Sequence, residues 1–160
     1  MAGGRTITHQ KFLIGKLTIS NEIEKFTAIK YKKKTGELKG SFIKQKKMLG
    51  YEALDWEITG KMLDESLATE VGKDGEKTIA TYIEKGYDEN GDDYRIEHIM
   101  TGECEIDTGD ASNGEEKQAT IKGVTVVRHK HTDTGKTITE VDIPNGDYFV
   151  NGRRIANAIK

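Results

Sequence analysis

Thr78-Ile79-Ala80-Thr81-Tyr82-Ile83-Glu84-Lys85-Gly86-Tyr87-Asp88-Glu89-Asn90-Gly91-Asp92-Asp93-Tyr94 is the stretch whose reading decides the fold. Residues 77–85 place Thr78, Ala80 and Tyr82 on one side and Ile79, Thr81 and Ile83 on the other, the period of two that a strand imposes. Asp88-Glu89-Asn90-Gly91 then offers short polar side chains and a glycine, the chemistry of a chain reversal. Residues 92–105 are expected to pair back as the second half of a hairpin.

The same grammar extends in both directions. Downstream, residues 118–131 carry Val124, Val126 and Val127, and Asp133-Thr134-Gly135-Lys136 turns them into residues 137–143, a second hairpin. A short extended piece at Tyr148-Phe149-Val150 precedes Asn151-Gly152, and residues 153–160 are expected to form a small terminal helix. Upstream, residues 11–19 set Phe12 and Ile14 apart from Leu17 and Ile19 by Gly15. They are expected to pair with a second extended segment, 23–33, through Ser20-Asn21-Glu22. Residues 53–59 put Leu54, Trp56 and Ile58 on one face, which makes Trp56 a core residue. Met62, Leu63, Leu67 and Val71 recur at helical spacing, and Gly72 can end the short helix they predict. With 18 glycines against one proline, the expected fold is mainly β: an antiparallel β-sandwich or open barrel with one short helix and a small C-terminal helix.

The 160 residues fit one domain, 1–160, long enough to bury a true core. Charged residues make up 32% of the chain but nearly cancel, to −2, so no global field recruits nucleic acid. A single cysteine, Cys104, excludes an intrachain disulfide and points to synthesis in a reducing compartment. The polar first ten residues lack the apolar stretch of a signal peptide, and no segment approaches the roughly 20 apolar residues of a span. A soluble, cytoplasmically made protein without a membrane anchor is expected.

Charge is segregated along the chain. Between Lys30 and Lys47, lysines at 30, 32, 33, 34, 39, 44, 46 and 47 face only Glu37, with Gly36 and Gly40 in the same stretch. This reads as a basic, flexible excursion between strands. From Asp88 to Glu116 the balance inverts. A chain neutral overall but divided this way can attract copies of itself; solvated loops of unequal composition are the plainer reading.

Motifs that resemble chemistry are weak on inspection. Asp107-Thr108-Gly109 matches the short signature of aspartic proteases, but that chemistry needs two aspartates sharing a proton, and Glu103, Glu105 and Asp110 crowd the single copy. Thr134-Gly135-Lys136-Thr137 ends like a phosphate-binding loop, yet Lys130 stands where the first glycine is required. Asp88 to Asp93 is acidic enough for calcium but lacks the spacing of its loop. His129 and His131 share a strand face, a workable pair for zinc with no third ligand nearby in sequence. Tyr31 and Phe42 beside the lysines are stacking candidates for nucleic acid, without any binding-module motif. The expectation is no catalytic residue, no metal and no cofactor.

The order of short motifs in the C-terminal half carries a resemblance. His98-Ile99-Met100-Thr101-Gly102, Glu105-Ile106-Asp107-Thr108-Gly109 and Asn113-Gly114-Glu115 are followed by the long strand and turn. Thr139-Glu140-Val141-Asp142-Ile143-Pro144-Asn145 and Val150-Asn151-Gly152 complete the run. This order resembles the tail tube proteins of contractile-tailed phages and the tube proteins of R-type pyocins. Residues 94–155 carry it best. Met48-Leu49-Gly50-Tyr51-Glu52-Ala53-Leu54 is similar to the stretch that precedes a strand in that family, whereas Phe26-Thr27-Ala28-Ile29 lacks the family's proline.

The resemblance implies a non-enzymatic virion protein, assembled in the bacterial cytoplasm into hexameric rings. The rings stack within a contractile sheath as a conduit for DNA. Its partners would be further copies of itself, the sheath protein, and baseplate or initiator and terminator proteins. DNA would pass without specific binding. It further implies a glycine-bearing stacking loop, for which Lys32, Lys33, Lys34, Gly36, Lys39 and Gly40 are the candidates. Glu105, Asp107, Asp110 and Glu115 are the candidate acidic partners, and Glu140 and Asp142 the candidate lumen-facing residues, with Val141 and Ile143 buried behind them. A tube of a DNA-free tailocin or type VI-like device is the nearest alternative. A nucleic-acid-binding β-module and, more distantly, a hydrolase built on Asp107 are alternatives of other classes.

Overall fold

The computed structural model describes residues 4–15, 17–20, 23–37, 46–61, 78–107 and 118–157, and these contain strands and turns without a helix. In chain order the strands are β1 (Arg5–Ile14), β2 (Leu17–Ser20), β3 (Ile23–Thr27), β4 (Lys33–Glu37), β5 (Lys46–Tyr51) and β6 (Trp56–Gly60). They continue with β7 (Thr78–Asp88), β8 (Asp93–Asp107), β9 (Ala119–Asp133), β10 (Lys136–Asp142), β11 (Asp147–Val150) and β12 (Arg153–Asn157). Ten of them form one antiparallel sheet, ordered β12-β11-β10-β9-β8-β7-β1-β2, with β6 and β3 branching from β9; β4 and β5 form a sheet of their own. The main path does not close on itself.

The two expected hairpins are present. Tyr87 pairs with Asp93 across the β7–β8 turn, where the Asp88 carboxylate accepts from the backbone N–H groups of Asn90 and Asp92. Asp133 pairs with Lys136 across the β9–β10 turn, and Thr134 and Gly135 both take positive φ there, as a two-residue hairpin turn demands.

The long β8–β9 hairpin is the spine. Its closed half, residues 96–101 against 128–133, continues sideways into β7 on one side and β10 on the other. Its open half, residues 102–107 against 120–126, instead receives β6 along residues 119–123 of β9. Register shifts at Gly102 and Cys104 separate the halves, and such bulges bend a sheet. The bend folds the β6–β3 ply over the β1–β7 ply: Phe12 of β1 meets Trp56 of β6 at 5.6 Å, and Phe26 of β3 stacks on Tyr82 of β7 at 3.9 Å. Phe12, Ile14, Ile58, Tyr82, Met100 and Ile121 are the largest side chains fully enclosed between the plies.

Two glycines allow this bend. A Cβ on Gly102 would sit 1.7 Å from the backbone oxygen of Thr125, and one on Gly123 would sit 1.9 Å from Nε1 of Trp56. At both, the sheet closes to a distance only a hydrogen atom permits.

Three expectations are corrected. Residues 11–19 do not form one strand: Gly15, at φ 55°, reverses the chain, and β2 folds back on β1. The second segment, 23–33, is a strand only to Thr27 and pairs with β6 instead, because its apolar side, Ile23 and Phe26, covers the core. The small C-terminal helix is absent over residues 153–157: Asn151 and Gly152, both at positive φ, turn the chain so that β12 pairs with β11. Residues 158–160 lie outside the described residues, as does the helix expected over 61–71 apart from Lys61.

Candidate assembly surfaces

Within the basic stretch, residues 33–37 and 46–51 pair as an antiparallel ribbon. Lys33 pairs with Tyr51, Lys34 with Gly50, Gly36 with Lys47 and Glu37 with Lys46. Lys32 immediately precedes β4 and, with Lys33, is exposed. Lys34 and Gly36 lie within β4, while Lys39 and Gly40 fall outside the described residues. Lysines therefore stand on both strands of a ribbon that, among the described residues, shares no ladder with the main sheet.

Of the acidic candidates, Glu105 and Asp107 are exposed at the far end of β8, where they pair with Lys122 and Thr120 of β9. Glu103, two residues earlier, is exposed too. Asp110 and Glu115 lie outside the described residues. The acidic strand end belongs to the main sheet and the basic ribbon to its own, so among the described residues no ladder joins them.

Glu140 and Asp142 lie on the outer face of β10, with buried Val141 between them. They are not alone there. Glu140 pairs across the ladder with Lys130 and Asp142 with Arg128; the Arg128 guanidinium stands 3.5 Å from the Asp142 carboxylate. Asn145 donates to that carboxylate at 2.7 Å. Partial desolvation opposes ionisation, but Asn145 and Arg128 outweigh it and hold the Asp142 carboxyl below its usual range. Ile143 corrects an expectation: it is 48% exposed, since β10 ends at Asp142 and Ile143 opens the turn to β11.

His129 and His131 do share a face, the inner one, and the structure adds His98 of β8 to them. His98 Nδ1 lies 3.0 Å from His129 Nε2, and its ring stacks on His131 at 4.2 Å. Tyr31 hydrogen-bonds the other nitrogen of His129. Burial pushes His98 down to about 3 and His129 to about 4, with the neighbouring imidazoles adding to the effect. His131 is lowered by burial as well, partly offset by Asp133. Among the described residues no group of His, Cys, Asp and Glu is arranged to hold a metal ion. His98 was legible in the alternation of 92–105, since it shares its parity with Tyr94 and Met100, but only the register of β8 on β9 brings it to His129.

Among the described residues the chain thus presents an open sheet whose outer strands β2, β3 and β12 each have a single ladder partner, a separate basic ribbon and an acidic strand end. The chain belongs to the family described as phage tail tube protein FII, whose profile matches residues 5–160. No curated protein matches it. The protein is thus a structural component of a phage tail, a tube-forming subunit of a family that is structural rather than enzymatic.

Proposed function

We propose that the chain is the inner tube subunit of a contractile tail, closing into hexameric rings that stack inside a sheath and conduct DNA during ejection. Family membership over residues 5–160 carries this reading; the form of the chain supports it. Outer strands β2, β3 and β12 each have a partner on one side among the described residues, so a neighbouring copy can extend the sheet there without disturbing the core. The conduit ends on baseplate or initiator proteins at one side and a terminator at the other. Assembly takes place in the host cytoplasm before the tail joins the virion.

The β4–β5 hairpin is the stacking element in this proposal. Its lysines meet the acidic end of β8, including Glu105 and Asp107, on a copy in the next ring, and opposite charge steers the encounter and fixes its register. Reversing Lys32, Lys33 and Lys34 to Glu should abolish tubes seen by negative-stain electron microscopy across a concentration series while leaving the subunit folded. Normal tubes from that variant would refute the stacking role. A persistent monomer of the wild-type chain that binds DNA in a salt-dependent manner would refute the tube reading itself.

A DNA-free injection device uses the same tube and differs in cargo alone. Copurification of tubes with DNA-filled heads separates the two.

A further inference from the structure

Among the described residues the β4–β5 hairpin shares no ladder with the ten-stranded sheet, and a two-stranded ribbon is marginal on its own. Its direction is therefore set at its root, and the root is built from specific contacts. Glu52 N–H donates to the carbonyl of Lys32 at 2.8 Å, joining the two ends. Tyr31, two residues before β4, stacks on Tyr148 at 4.9 Å, and Tyr51, the last residue of β5, meets the same ring edge-on at 5.3 Å. Both ends of the hairpin thus grip one side chain of β11. Tyr31 reaches further: its hydroxyl bonds Nδ1 of His129, and Nε2 of His129 bonds Nδ1 of His98 at 3.0 Å.

We propose that the Tyr31–His129–His98 chain, seated beside Tyr148, is the positioning device that aims the β4–β5 hairpin at a second copy of this protein, and that an added proton releases it. The proposal rests on the stacking role given to the hairpin above.

Proton counting gives the reason. With both imidazoles neutral, the chain runs in one direction: Tyr31 O–H to His129 Nδ1 and His129 Nε2–H to His98 Nδ1, or both bonds reversed. A proton added to His129 makes it donate both ways, but as a cation in a desolvated site. A proton on each ring sets two N–H groups against each other at the 3.0 Å contact.

The surroundings offer the cation little. His131 stacks on His98, and its buried Nε2 has no hydrogen-bond partner. Phe26 and Tyr82 face His98 from β3 and β7. The nearby carboxylates are engaged elsewhere, Asp133 with Arg5 at 2.9 Å and Glu84 with the hydroxyls of Tyr82 and Tyr94. Relief comes most directly by parting Tyr31 from His129 and admitting water, and Tyr31 is the root of the hairpin.

Amide hydrogen exchange on the full chain, dilute enough to remain monomeric, tests this at about pH 7 and about pH 5 after correction for intrinsic rates. In the wild type, protection over 33–37 and 46–51 should fall in acid and stay well below that of 93–101 in β8, which opens with the whole subunit. Tyr31→Phe keeps the ring and removes the hydroxyl. It should raise hairpin exchange roughly threefold to tenfold at pH 7, the weight of one hydrogen bond, and abolish the acid response. Hairpin exchange unchanged in Tyr31→Phe, or hairpin protection equal to that of β8 in wild-type acid, overturns the proposal. The wild-type arm decides even if the variant fails to fold. Normal tubes from a Tyr31→Phe chain whose hairpin has loosened would instead retain the positioning contact and refute the hairpin's role between copies.

Discussion

Lowering the pH from about 7 to about 5 should weaken the folded subunit by an amount set by two buried histidines. His98 is 7% exposed and His129 2% exposed; in the folded chain they are pushed down to about 3 and about 4 from an ordinary 6.5. Between those limits the unfolded chain binds the extra protons, so stability is full above about pH 6.5 and falls with pH until the folded-state values are reached. At pH 5 each unfolded imidazole gains about 2 kcal/mol from its proton while its folded counterpart gains almost nothing, so the pair costs about 4 kcal/mol. That is a large share of the roughly 5–15 kcal/mol that holds a domain together. Asp133 and Asp142, whose carboxyls are held below their ordinary range by Arg5 with Thr134 and by Asn145 with Arg128, act with the same sign but at lower pH, below about 4, and do not blur the window. Urea unfolding of dilute subunits, followed by the fluorescence of buried Trp56, measures the effect. A His98→Gln, His129→Gln double variant should start less stable and lose far less between pH 7 and 5. An unfolding midpoint that ignores pH in the wild type, or the same slope in the double variant, would refute the reasoning.

Gly123→Ala should destabilise the subunit by about 1–3 kcal/mol or more, the range for overpacking a filled core, because its Cβ would meet the Trp56 indole at 1.9 Å; a urea midpoint equal to wild type would show that the ring can step aside. Neutralising the candidate lumen carboxylates as Glu140→Gln and Asp142→Asn leaves their cross-strand partners Lys130 and Arg128 uncompensated, two extra positive charges per subunit facing any DNA. Assembled tubes of that variant should retain DNA and slow its ejection at low salt; unchanged ejection would remove these residues from the wall.

The hairpins were legible because alternation and turn chemistry are local. Residues 78–88 and 93–107 needed only period two and the Asp88–Gly91 reversal, and Thr134-Gly135 fixed the next turn in the same way. What was illegible depends on pairing between distant strands. Nothing in Ile23 to Thr27 says that β6 rather than β1 or β2 is its neighbour, and the residues after Asn151-Gly152 read equally as strand or helix until β11 supplies a ladder. The charged candidates were legible as charge and illegible as geometry. Lysines on both strands look like a loop in sequence because Lys33-Lys34-Thr35-Gly36-Glu37 and Lys46-Lys47 carry no apolar alternation to announce a strand. Tyr31 and His129 stood out in the sequence only for other reasons; the root they form with His98 and the two tyrosines did not, since its members come from five separate places, at 31, 51, 98, 129 and 148.

The outer face of the main sheet imposes a condition on any tube. The strand registers set Leu13 beside Thr81, Thr81 beside Ile99, Ile99 beside Lys130 and Lys130 beside Glu140. The adjacent row runs from Ile79 through Thr101 and Arg128 to Asp142. Over these two rows the face is therefore aliphatic or threonine on β1, β7 and β8 and carries opposed charges on β9 and β10. Ile79 is 58% exposed on the apolar side. A conduit wall suits the charged zone, where each carboxylate is matched by a base and DNA meets neither net attraction nor repulsion. Exposed Ile79 and half-buried Ile99 in that wall would gain nothing from water or phosphate and would bury readily against protein. If Glu140 and Asp142 face the lumen, Ile79 and Ile99 must be covered by a neighbouring subunit. The lumen assignment and the lateral contact consequently stand or fall together, and an Ile79→Asp variant that assembles normally would remove both.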